Sequence, residues 1–417
     1  MAPHFDALEI RDPAERERDL FSRLPRFLSD AVAKAQGLAV WLSGIDLPHV
    51  VDRSALARLP VLRKPELLER QKAKPPFGGF VDPDAMEGAR VFMSPGPIWE
   101  IQGAGGDPWQ AARAFFAAGV RPGARVHNAF AYHMTPGGFV LDTGARALGC
   151  TVFPAGTGNT DMQVEAAEAF QPDVYAGTPD FLKIMFERAD RDGKDLSSIR
   201  TGLVSGGALF PSLREEYRAR GVNVLQCYAT AEFGVIAYET LGPDGAPLPG
   251  MVVNENLIVE IVRPGTDDPV PEGEVGEVVV TALNPAYPLV RLGTGDLSAV
   301  MREESPCGRT NMRIKGWMGR ADQRTKVKGM FVDPKQIAEL TRRHSEIERA
   351  RLVVNRDDAK DAMALHVEVF AGSAPDTLAI EATLREVTKI GGRVILAEPG
   401  SLPRDGKVIA DERDYSD

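Results

Sequence analysis

Residues able to do chemistry gather in a few short segments of this 417-residue chain. Val204-Ser205-Gly206-Gly207-Ala208-Leu209 combines a serine with two glycines, and glycines let a backbone approach a flat ring closely. Tyr228-Ala229-Thr230-Ala231-Glu232 ends on a single acid. Hard Mg²⁺ takes carboxylate oxygen together with phosphate oxygens, so one acid beside a phosphorylated ligand is chemically sufficient. Thr294-Gly295-Asp296-Leu297 offers an aspartate, which accepts two hydrogen bonds at once and so suits a diol. Leu402-Pro403-Arg404-Asp405-Gly406-Lys407 places a lysine in a terminal loop. Taken singly, such a lysine is ordinarily solvated and a T-G-D is ordinarily a surface turn. A serine-hydrolase elbow at Ser205 is excluded, because it requires glycine at 203, where this chain has leucine.

The elements that must position these residues alternate regularly. A Pro-Gly turn leads into a strand over 125–130, then come a helix over 137–148, a strand over 150–153, and a helix over 160–170 opened by a T-x-x-Q capping box. A strand at 174–176 meets Thr178-Pro179-Asp180, whose N-cap threonine, N1 proline and first-turn acid start a helix that stops near Gly193. Strands at 200–204 and 222–227 flank a helix over 212–220 closed by Gly221. Strands alternating with helices of about ten residues imply an α/β fold with a parallel sheet. Ligands then sit at the strands' carboxyl ends, where the Ser205 and Glu232 segments fall.

Residues 1–75 read as a helical N-terminal wrap with breaks at Pro48, Pro60, Pro65 and Pro75-Pro76. After Gly234 the texture turns to Pro/Gly-rich turns and short alternating strands at 257–262 and 277–281, a small antiparallel or barrel-like subdomain. Strands at 349–355, 363–370 and 393–397 with a helix over 376–389 make a compact C-terminal α+β unit. The expected division is a large domain over 1–320 and a small one over 321–417.

Composition narrows the partners. A hydrophobic content of 43% with 26% charged residues is that of a soluble globular protein, and no run approaches the roughly 20 apolar residues of a spanning helix. A net charge of -10 argues against nucleic acid. The first twenty residues mix charges without an apolar stretch, which places the protein in the cytoplasm. Cys150, Cys227 and Cys307 are odd in number and far apart, so no disulfide framework is expected. Cys150 and Cys227 read as core residues.

The segments, in this order, resemble the motif series of the adenylate-forming superfamily, and in particular the phenylacetate-CoA ligase family, over about 91–413. Residues 121–163, RPGARVHNAFAYHMTPGGFVLDTGARALGCTVFPAGTGNTDMQ, are similar to that family's block in wording and spacing. The resemblance implies an acyl pocket lined by Phe130, Tyr132 and His133, although Tyr132 and His133 also fit a loop-packing role. It implies an adenine loop at Ser205, Gly206, Gly207 and Ala208, with Tyr228 near adenine and Glu232 holding Mg²⁺ on the phosphates. Asp296 is implied as the ribose ligand and Arg320 as a phosphate-facing arginine. Gly319-Arg320-Ala321-Asp322, followed by Lys326-Val327-Lys328-Gly329, resembles the hinge motif, with Asp322 as the hinge residue and Gly329 near the pantetheine path. Lys407 matches the catalytic lysine of a mobile C-terminal lid. The reaction implied is carboxylate plus ATP to acyl-adenylate, then transfer to coenzyme A. Transfer to a carrier-protein thiol, or nucleotide binding without turnover, are the alternatives. Homodimers are common among such ligases.

Three departures stand out. Ala231 replaces a hydroxyl expected at the α-phosphate. The family's phosphate loop, S-S-G-T-T-G-K-P, is matched by Phe92-Met93-Ser94-Pro95-Gly96-Pro97-Ile98-Trp99-Glu100, without threonines or lysine and with two prolines that lack N–H donors. This fits either a rewired loop or a paralogue that has lost adenylation. Some family members hold a structural zinc after the Glu232 segment; here Cys307 stands alone, with Thr240, Met251 and Ser305 near the partner positions, so no zinc is expected.

Overall fold

The computed structural model describes residues 4–413 except 95, 208, 322, 324, 328, 329, 358 and 359. By Cα proximity the chain forms two compact units: Met1–Val259, Val280–Leu292 and Met301–Trp317 make the first, and Glu260–Val279, Gly293–Val300 and Met318–Asp417 the second.

The N-terminal stretch is helical as expected: α1 (Pro13–Lys34), α2 (Gln36–Trp41) and α3 (Arg53–Leu56), then strand β1 (Leu62–Arg63) and α4 (Lys64–Ala73). Pro65 begins a helix rather than breaking one, since it sits in the first turn of α4 where an N–H has no partner to lose. A hairpin of β2 (Val91–Ser94) and β3 (Ile98–Ile101) follows, then α5 (Ala111–Ala117). The alternating section comprises β4 (Arg125–Asn128), α6 (Gly137–Ala147), β5 (Thr151–Phe153), α7 (Thr160–Phe170), β6 (Val174–Gly177), α8 (Pro179–Asp192), β7 (Thr201–Val204), α9 (Pro211–Ala219) and β8 (Asn223–Thr230). Consecutive residues of these strands serve opposite layers. Ala176, Leu203 and Leu225 join the α5 and α6 side of the core, while Tyr175, Val204 and Val224 join the α7, α8 and α9 side, as the twofold period of a strand requires.

The sheet is mixed rather than purely parallel. β4 through β8 run parallel, but β9 (Gly234–Tyr238) turns back antiparallel on β8, and β10 (Met251–Val253) continues on β9. A tight turn at 231–233 leaves no room for a crossover helix, so the next strand must reverse. The strands after Gly234 therefore divide between two sheets. β11 (Leu257–Val262), β12 (Gly276–Ala282) and β13 (Leu292–Ser298) join β1 in the order β1-β13-β12-β11, whereas β14 (Val300–Met301) and β15 (Arg313–Ile314) complete the nine-stranded sheet β14-β15-β10-β9-β8-β7-β6-β4-β5. Every residue of β11 and β12 is buried, so neither shows the in-out alternation of a half-exposed strand.

The α+β unit near the C-terminus has the expected elements. After the hairpin β16 (Thr325–Val327) and β17 (Met330–Val332) come α10 (Pro334–Arg343), β18 (Ile347–Asp357), β19 (Lys360–Val369), α11 (Thr377–Thr388), β20 (Arg393–Leu396) and β21 (Ile409–Asp411). The sheet runs β20-β19-β18-β21, and Ile337, Leu340, Leu352, Val354, Leu365, Val367, Ile380 and Leu384 close its core.

Two local expectations change. Thr160 is not a cap: Asn159 holds that position in a left-handed conformation. Gln163 instead accepts from His127 Nε2 at 2.8 Å and donates to the Gly156 and Gly158 carbonyls at 3.0 and 2.7 Å, fixing the loop before α7. Thr178 does cap α8 by position, but without a side-chain bond. Cys150 and Cys227 are buried and unpaired. Among the described residues no helix is long and apolar enough to cross a membrane.

Candidate active site

In the first unit the functional segments emerge from the carboxyl ends of parallel neighbours. β4 leads into Phe130–His133, β7 into Ser205–Gly207, and β8 into Ala231 and Glu232. Ser205 N–H donates to the Gly177 carbonyl at 3.1 Å, and Gln226 Nε2 donates to the Gly207 carbonyl at 3.0 Å, so the loop after β7 is tied to strands on either side. Phe130 lies against this loop and against the start of α6: a Cβ placed on Gly206 or Gly137 would stand 3.4 or 3.3 Å from its ring. The structure thus brings Phe130 and Gly206 together.

Tyr132 is fixed against α6. Its hydroxyl accepts from Asn128 Nδ2 at 2.7 Å and donates to Asp142 Oδ2 at 3.1 Å, and its ring meets Phe139 edge-on at 5.1 Å. Burial, reinforced by the Asp142 charge, pushes the phenol well above its ordinary range. Gly138 permits this packing, because a Cβ there would stand 2.7 Å from the Tyr132 ring and the Ala131 carbonyl. His133 is exposed. Tyr228 is buried at the end of β8.

Beside these segments lies a buried acidic pair. Glu232 is 1% exposed at its side chain, with Lys64 Nζ 2.9 Å from Oε1. That approach lacks hydrogen-bond geometry, and neither carboxylate oxygen has a hydrogen-bond partner. Glu100, in the second strand of the β2–β3 hairpin, is buried as well. Its carboxylate accepts from the Ser94 hydroxyl at 2.5 Å and from Ser94 N–H at 3.2 Å. Burial, then the Glu232 charge, pushes Glu100 up to about 8. The hairpin is held from behind by Gln71, which accepts from Trp99 N–H at 2.8 Å and donates to its carbonyl at 2.9 Å.

In the second unit Arg320 Nη1 pairs with Asp296 Oδ1 at 3.0 Å, and the two residues form a backbone bridge. Gly295 between Thr294 and Asp296 has φ +77°, and a Cβ there would come 2.7 Å from Arg320 Nη2, so the pairing needs glycine. Lys407 is exposed on a loop that is itself anchored. Gln323 Nε2 donates to the Gly406 carbonyl at 2.7 Å while its Oε1 accepts from Val408 and Ile409 N–H. Arg351 pairs with Asp405 at 2.6 Å. Burial alone would raise Asp405, but Arg351 and the Lys407 N–H outweigh it and hold the acid below its usual value. Ala208, Asp322 and Gly329 lie outside the described residues.

A family model described as AMP-binding enzyme matches residues 131–285. The chain is 31% identical over 342 residues to phenylacetate-coenzyme A ligase of Thermus thermophilus, covering 78% of this chain and 75% of that one. It belongs to the phenylacetate-CoA ligase family. Its structure is similar to 2-hydroxyisobutyryl-CoA ligase in a postadenylation state with an acyl-adenylate, at 25% identity and TM-score 0.71 over 99% of this chain and 93% of that one. An open form of the same ligase with acyl-adenylate and CoA matches at 25% identity and TM-score 0.72, over 96% and 92%. The protein is an adenylate-forming, AMP-releasing acid:CoA ligase.

A Mg²⁺ ion would supply positive charge to a bound phosphate, and Glu232 is an acid that could hold it: its buried oxygens lack hydrogen-bond partners, and the Lys64 ammonium 2.9 Å away is the charge such an ion would displace. A zinc site fits poorly. Cys307 Sγ faces the Ser305 hydroxyl at 3.1 Å and Arg309 Nη1 at 3.5 Å, and a guanidinium repels a cation. Burial raises this thiol, but hydrogen bonds from Ser305, Thr240 and Arg309 leave it below its ordinary value.

Sequence reasoning missed Lys64, Glu100 and Gln323. Glu100 closes the segment compared with the phosphate loop, so an acid in that hairpin was a readable signal. Lys64 sits in a charged helical stretch with nothing local to distinguish it.

Proposed function

We propose that this ligase activates an aromatic or other compact carboxylic acid and passes the acyl group to coenzyme A. The observation that carries the reading is Phe130, an aromatic wall set beside both Gly206 and the start of α6. The relative from Thermus thermophilus is named for phenylacetate and the solved neighbours for a small hydroxy acid, and both support a compact acyl group.

In this reading the carboxylate oxygen attacks the α-phosphorus of ATP and pyrophosphate leaves. The CoA thiolate then attacks the acyl carbon, and AMP leaves with the carboxylate oxygen. Ser205–Ala208 and Tyr228 receive adenine, Asp296 accepts from the ribose hydroxyls, and Glu232 faces the phosphates. Arg320, which pairs with Asp296, contacts the phosphate in this scheme. Residues 321–417 act as a lid turning about Asp322: Lys407 stabilises charge developing between carboxylate and α-phosphate in the first step, and its withdrawal exposes the Gly329 path for pantetheine in the second. The cytoplasm, where ATP and CoA occur, is the proposed location.

The Ser94 hydroxyl of the phosphate-loop counterpart donates to Glu100. Pyrophosphate release over a panel of aryl, short-chain and long-chain acids, run beside calorimetric titration with Mg·ATP, tests the reading: preferred turnover of a compact acid supports the acyl assignment, and better turnover of palmitate refutes it.

A further inference from the structure

The hairpin that stands in for a phosphate loop has no basic residue between Ser94 and Glu100, and its serine is hydrogen-bonded to its own glutamate. A ligase must still hold the pyrophosphate end of ATP, which carries most of the nucleotide's charge. A cation beside the hairpin's Glu100 and its neighbour Glu232 comes from elsewhere in the chain. Lys64 is the first residue of α4, and Glu66 fixes that helix start by accepting from Arg63 N–H at 3.0 Å. A lysine at a helix N-terminus is opposed by the helix dipole, so the fold gains nothing locally from it. Its ammonium nevertheless stands 2.9 Å from buried Glu232, with 30% of the side chain exposed against 1% for the glutamate. The contact is coulombic rather than directional, because neither Glu232 oxygen is hydrogen-bonded. An ammonium with three N–H donors, partly exposed, thus stands beside Glu232.

Resting on the ligase reading, we propose that Lys64 is the cationic contact for the β- and γ-phosphates of ATP, supplying from α4 what the β2–β3 hairpin lacks. In the nucleotide-free protein the ammonium balances Glu232. With Mg·ATP bound, Glu232 would hold the metal, and the Lys64 charge it now balances would be available to the phosphate oxygens. AMP, which ends at the α-phosphate, does not reach it.

The test is calorimetric binding of Mg·ATP, pyrophosphate and AMP to the full chain as wild type, Lys64→Met and Lys64→Arg. Hydrogen bonds to charged groups contribute enough for a loss of roughly 10- to 100-fold. Lys64→Met should weaken ATP and pyrophosphate by that factor and leave AMP unchanged, while Lys64→Arg recovers part of the loss. Because Lys64→Met strands a buried carboxylate, the substitution is repeated on Glu232→Gln. There Lys64→Met should still weaken pyrophosphate; no further effect would mean that Lys64 only balances Glu232, and would overturn the proposal. Equal weakening of ATP and AMP, or none of either, overturns it too. A wild-type protein that binds neither nucleotide refutes the ligation scheme itself and this inference with it, whereas wild-type binding with unchanged ATP affinity in Lys64→Met refutes only the Lys64 assignment.

Discussion

Replacing Glu100 with glutamine should stabilise the protein progressively as pH rises. Glu100 is 1% exposed, and burial together with the neighbouring Glu232 charge moves its carboxyl from an ordinary 4.5 to about 8. Below about pH 4.5 the group is protonated in both folded and unfolded chains and has no pH-dependent effect. Between there and about pH 8 the unfolded chain releases a proton that the folded chain keeps, so folded stability falls as pH rises. At about 1.4 kcal/mol per pH unit the loss approaches roughly 3 kcal/mol by pH 7 and roughly 5 kcal/mol above pH 8. The amide introduced by Glu100→Gln does not titrate and escapes this loss, at a cost of about 1 kcal/mol for a changed hydrogen bond to Ser94. Urea unfolding followed by tryptophan fluorescence, with Trp99 adjoining the site, should show wild type and Glu100→Gln nearly together at about pH 5 and well separated at about pH 9. A gap that stays constant with pH, or that closes as pH rises, would refute the assignment of a buried neutral carboxyl to Glu100.

Three further outcomes follow from the site. Lys407→Ala should slow acyl-adenylate formation by about 10²–10³ while thioester formation from supplied acyl-adenylate continues; equal loss in both half-reactions counts against the two-step lid. Gly295→Ala forces a side chain into a backbone conformation with φ +77° and into Arg320, a strain of about 1–2 kcal/mol, and should weaken AMP binding measured by calorimetry. Gln323→Ala removes the partners of Gly406, Val408 and Ile409; hydrogen exchange in that loop should quicken, and adenylation should fall by roughly tenfold, less than for Lys407→Ala. Unchanged exchange in the loop would show that Gln323 does not hold it.

Local chemistry determined much of this protein by itself. Thr178-Pro179-Asp180 marked the start of α8 because a fixed proline φ and a missing N–H are properties of three adjacent residues. The strand and helix alternation over 125–227 was legible for the same reason, whereas the roles expected of the Ser205, Glu232, Asp296 and Lys407 segments rested on their resemblance, in order, to a family's motif series. The tertiary structure decided what depends on residues far apart in the chain. Gln163 has the spacing of a capping box, yet it bonds His127 and two loop carbonyls, because burial made those groups need partners. The direction of β9 followed from the brevity of one turn rather than from any strand's composition. Lys64 and Glu100 entered the site only when folding set both beside Glu232, since the field that holds one carboxyl neutral and draws in one ammonium arises from burial and proximity and leaves no trace in the spacing of the residues that feel it.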